Sequence, residues 1–98
     1  MTEKTNTESG KNNYMDNLKP IDFSTFVLSL ASSAQVHLGT VPNPVTGGVE
    51  KDLTLAKQTI DIIGVLEVKT KGNLDDNELR LIEHLLYDLR LKFLELSK

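Results

Sequence analysis

Two histidines, a few acids and a run of serines are the residues of this chain whose types suit chemistry. His84 and Asp88 stand four apart, so on a helix they share a face. That spacing can hold a metal, but a zinc site commonly takes three or four protein ligands. The chain offers no cysteine and no second histidine pair, so neither a metal nor another cofactor is expected. His37 has no acid near it in sequence to orient an imidazole for proton transfer. A half-buried, hydrogen-bonded side chain is the simpler expectation there.

The serines Ser29, Ser32 and Ser33 are the next candidates. A nucleophilic serine needs a base within hydrogen-bond reach. It often sits on a strained G-x-S-x-G turn, which this sequence lacks. These serines fall in mid-helix, where hydroxyls are expected to bond back to the preceding turn. Lys71-Gly72-Asn73 lacks the flanking spacing of a phosphate loop. Asp61 lies among apolar neighbours, and Lys57, four residues earlier, is placed to form a surface ion pair with it. No catalytic residue is expected, and the chain reads as a non-enzyme.

The elements that would position these groups are three helices. The first is expected at about residues 23–38, with Asp22 as N-cap and Gly39 as the left-handed residue after its end. At 100° per residue Phe23, Phe26, Val27, Leu30, Ala31, Ala34 and Leu38 share one face. The opposite face carries Thr25, Ser29, Ser32, Ser33 and Val36, with Leu28 on its flank. No Asp, Glu, Lys or Arg occurs from Phe23 through Val49. A helix on the surface of a monomer normally puts charge outward, and this one has none to put there.

Pro42, Pro44, Gly47 and Gly48 make residues 39–50 a loop. A second helix is expected over about 53–71, with Leu55, Ala56, Thr59, Ile60, Ile62, Ile63 and Leu66 as its apolar stripe. Gly64 in its interior reads as a close helix crossing. The third helix, about 76–96, opens on the capping-box spacing Asp75 and Glu78. Its seam is Leu79, Ile82, Leu86, Leu89, Phe93 and Leu96, widened by Leu81, Leu85 and Leu94. Asp76 with Arg80, and Asp88 with Lys92, have the spacing of ion pairs. The connection around Gly72–Leu74 is short, so helices two and three form an antiparallel hairpin. No stretch alternates with period two, and the fold class is all-α.

Size and charge bound the function. The 98 residues make one domain. Residues 1–20 are polar and expected to be a disordered tail, leaving 21–98 as the helical domain. A unit this small is marginal alone, and without cysteines its available reinforcement is a partner chain. The net charge is −3 with scattered basic residues, which argues against nucleic acid. The first helix is too short and too polar to span a bilayer, and lacks the flanking cations of an interfacial helix. The absence of cysteine and of a signal-peptide layout fits a cytoplasmic protein.

Several separate motifs point to a family. They are the stretch from Ile21-Asp22-Phe23-Ser24-Thr25-Phe26 through Ala31-Ser32-Ser33-Ala34, Leu38-Gly39, Pro42 to Pro44, Asp52-Leu53, Ala56-Lys57 with Ile60-Asp61, Lys69-Thr70-Lys71-Gly72-Asn73-Leu74, and Leu89-Arg90 before Phe93. Together they resemble a bacterial domain-of-unknown-function family, the one numbered 1844. The resemblance implies a short single-domain cytosolic protein, with a hint of translation-related neighbours. It carries no activity and no site residues.

The expectation is therefore a self-associating module, most simply a homodimer, meeting through Thr25, Leu28, Ser29, Ser32, Ser33 and Val36. The alternative is an adaptor for another protein, using the same face or the seam of helix three; a small-ligand or enzyme function, the lesser reading, would need a pocket between helices holding His37, His84 or Asp61.

Overall fold

The computed structural model describes residues 20–98. Three helices form the fold: α1, Phe23–Leu38, α2, Leu53–Lys69, and α3, Asp76–Leu96. No strand occurs among the described residues. The expected tail falls, Pro20 apart, outside the described residues.

Local chemistry fixes each helix end. Asp22 accepts the Thr25 N–H at 2.7 Å, and Asp52 accepts the Leu55 N–H at 3.1 Å. At α3 the box closes both ways. The Glu78 N–H donates to Asp75 at 2.8 Å, and the Asp75 N–H donates to the Glu78 carboxylate at 2.9 Å. These bonds satisfy amides that have no partner inside the helix. Gly39 adopts φ 79°, so its N–H reaches the Val36 carbonyl and the Thr40 N–H reaches that of Gln35. That paired pattern is the Schellman ending, which a left-handed residue makes accessible.

One boundary differs from expectation. α2 stops at Lys69, not Lys71. The Thr70 hydroxyl donates to the Leu66 carbonyl at 2.6 Å, and Gly72 turns the chain with φ 87°. The last two expected residues belong to that turn.

The core is apolar throughout. α1 contributes Val27, Ala31, Ala34 and Leu38, α2 contributes Ala56, Ile60 and Ile63, and α3 contributes Ile82, Leu86 and Leu89. No polar or charged side chain is buried among the described residues. All three helix pairs are in contact, with α2 and α3 as a hairpin. Three expected core residues face outward instead: Phe26, Leu79 and Leu94. Leu55 and Ile62 likewise stand at the exposed edges of the α2 stripe. A three-helix core covers an arc of each helix, and these side chains lie at or beyond its margin.

Gly64 also departs from its expected role. A Cβ built there meets no backbone of another helix; it comes within 2.9 Å of the Arg90 guanidinium. The glycine makes room for a side chain from α3, not for a close backbone crossing.

Candidate interaction surface

The outward side of α1 is the first surface of interest. Thr25, Leu28, Ser29, Ser32 and Ser33 are exposed, and Val36 is half-buried. Thr25, Ser29, Ser32 and Val36 follow one another at helical spacing and occupy one face. Leu28, 47% exposed, borders it on one edge. Phe26, 42% exposed, joins Ser33 on the other. Phe26 is the residue of this face that the sequence reading missed, because its wheel position lies on the border between core and solvent.

The hydroxyls behave as expected of structural groups. Ser29 Oγ donates to the Phe26 carbonyl at 2.7 Å, as mid-helix serines do. Ser33 Oγ lies 3.5 Å from His37 Nε2, at the long limit of a hydrogen bond. His37 is half-buried, and its backbone carbonyl accepts the Asp52 N–H at 2.7 Å, tying the start of α2 to the end of α1. No acid contacts its ring among the described residues.

The other titratable groups are dispersed on the surface. Lys57 and Asp61 pair at 2.9 Å with both side chains more than half exposed. Such pairs contribute at most about 1 kcal/mol. His84 pairs with Asp88 at 3.2 Å, and Lys92 turns to Glu95 at 3.2 Å instead of to Asp88. Asp76 and Arg80 do not close an ion pair. No group of three or more His, Asp or Glu side chains is arranged to hold a metal among the described residues. The Thr25 backbone N–H donated to Asp22 holds that carboxyl below its ordinary range.

A second surface lies between α2 and α3. Val65 and Val68 stand on one side of it, and Leu79, Tyr87, Leu91 and Leu94 on the other. All six are exposed. The spacing of Tyr87, Leu91 and Leu94 is a signal in the sequence, since four then three residues marks a stripe of its own. It was masked by the stronger seam beside it. No described helix is long and apolar enough to cross a membrane.

The described residues form a small all-α domain of three helices with an uncharged hydroxyl face on α1, an exposed apolar face between α2 and α3, and an apolar core. The model of the family described as Domain of unknown function (DUF1844) matches residues 20–95, and the chain belongs to that family. No curated protein and no solved structure matches the chain.

Proposed function

We propose that this protein is a non-enzymatic interaction module that pairs with a second copy of itself through the outward face of α1. The observation that carries the proposal is the charge-free run from Phe23 through Val49, of which α1 is the helical part. Phe26 and Leu28 leave apolar surface in water on that face. The hydroxyl residues between them are short enough to let a second helix approach. Covering this face desolvates no formal charge, so association avoids the largest penalty that surfaces usually carry.

The chemistry of the remaining groups supports a module without catalysis. Active sites are where burial and neighbouring charge shift titrations. The Asp22 carboxyl, held low by the Thr25 N–H, is a helix cap, and among the described residues no three of the acids and histidines are gathered to hold a metal. The cysteine-free sequence suits a reducing compartment.

The adaptor alternative is weaker on α3, because Ile82, Leu86 and Leu89 of its seam are buried in the protein's own core. The α1 face could serve a foreign helix equally, and oligomeric state separates the two. Sedimentation of the full chain at micromolar concentration is expected to give more than one chain. Ser29→Glu is expected to reduce that mass, since it would bury an unpaired carboxylate. A wild-type mass of a single chain sinks the proposal.

A further inference from the structure

We infer that the α2–α3 face is a second self-association surface, on which α3 pairs antiparallel with α3 of another copy about a two-fold axis at Tyr87. This surface contains no residue of α1, and the inference stands apart from the reading of that helix. Exposed apolar side chains gathered on one face mark interaction sites more often than chance exposure does. Tyr87 is 66% exposed and Leu94 60%, the greatest exposures of large apolar side chains on α3.

The charges around the stripe select the occupant. Asp61, Glu67 and Glu83 line the face together with Lys69, Lys71 and Arg90. Acids and bases are equal in number, so the face offers no net field to a strongly acidic or basic partner. It does complement itself. Glu83 lies four residues before Tyr87, and Arg90 three residues after it. When two copies of α3 run antiparallel about Tyr87, Glu83 of each falls within one residue, about 1.5 Å of axial rise, of Arg90 of the other. A two-fold contact of this kind repeats every pairing twice.

Neither residue is committed elsewhere among the described residues. Arg90 and Glu83 form no ion pair there, and the Arg90 guanidinium lies over Gly64 of α2, at the edge of the groove. Tyr87 then meets its counterpart at the axis, the two Glu83–Arg90 pairs flank it, and Leu91 and Leu94 carry the apolar contact beside and beyond those pairs. Opposite charges flanking a helical seam set partner choice and orientation in paired helices.

Sedimentation equilibrium on the full chain tests this, with Ser29→Glu as the background so that the α1 contact is absent. In that background the expected mass is that of a pair. Glu83→Arg and Arg90→Glu are each expected to halve it, because like charges then face each other across the axis. The Glu83→Arg/Arg90→Glu double variant is expected to restore the pair. A single-chain mass in the background, a pair that survives both single swaps, or a double swap that restores nothing overturns the inference. A Ser29→Glu mass equal to the wild type counts against the α1 contact alone. Cross-linking gives a second reading in the otherwise native chain. With no native cysteine, oxidised Tyr87→Cys can form a disulfide only between copies. Asp88→Cys, turned roughly 100° away on α3, is expected not to, and equal yields at both positions overturn the axis.

Discussion

Replacing Gly64 by alanine is expected to stabilise the fold, although the position is crowded. Glycine inside a helix is about 1 kcal/mol less favourable than alanine, because its backbone loses more freedom on folding. Against that gain stands one contact, the new Cβ at 2.9 Å from Arg90 Nη2. The obstructing atom is the tip of a long side chain that forms no ion pair with a described acid. It needs to move by about half an ångström to reach ordinary contact, and rotation about its terminal bonds supplies that cheaply. The net effect is a gain of about 0.5–1 kcal/mol, or roughly 3–6 °C in Tm for a domain of this size. Urea and thermal unfolding followed by far-ultraviolet circular dichroism measure it, at one fixed protein concentration because association adds to apparent stability. Adding Arg90→Ala removes the obstruction, so the Gly64→Ala gain measured in that background is the full propensity difference. A loss of stability in Gly64→Ala, recovered in the Arg90→Ala background, would refute the reasoning by showing that the guanidinium cannot yield.

The helix caps make two further predictions. Asp75→Ala removes one side of the box at α3 and is expected to cost about 1 kcal/mol, read as a lower urea midpoint; an unchanged midpoint would mean that Glu78 and water replace it. Asp22 is the group whose acid response can be assigned. Its folded carboxyl titrates below the unfolded one because it accepts the Thr25 N–H, so its contribution is present above the ordinary carboxylate range of about pH 4 and lost as pH falls through the lowered folded value. The urea midpoint of wild type is therefore expected to fall more steeply with acid than that of Asp22→Asn, and parallel curves would count against the assignment.

What the sequence disclosed follows the range of the interactions involved. The caps at Asp22 and Asp75 and the Gly39 ending involve residues within five positions of one another, so their spacing alone specifies them. The short Gly72–Leu74 connection specified the α2–α3 hairpin for the same reason. Errors begin where a neighbouring helix decides. Phe26, Leu79 and Leu94 each lie near the edge of an apolar arc, and which edge residue is covered depends on where the other two helices stand. Gly64 was legible as a place needing room, but the neighbour that needs it, Arg90, is 26 positions away. The hydroxyl face of α1 was visible because it depends on an absence of charge, which needs no tertiary information. The α2–α3 face was not, because Leu91 and Leu94 are of the same type as the core leucines beside them.

The loop between α1 and α2 has a consequence for how quickly the chain folds. Its turn is closed by its own groups. The Asn43 N–H donates to the Gly48 carbonyl at 2.8 Å, the Gly47 N–H to that of Asn43 at 2.7 Å, and Thr46 Oγ1 to Glu50 at 3.0 Å. Bonds over so few residues form early, and they shorten the flexible span that must close before α1 meets α2. The α2–α3 turn is shorter still. Both connections join helices that are neighbours along the chain, and folds dominated by such local contacts form in microseconds to milliseconds. Diffusional encounter of two copies at micromolar concentration, at typical protein association rates, takes far longer. Each chain therefore completes its own core before it meets another, and copies come together as finished surfaces instead of exchanging helices.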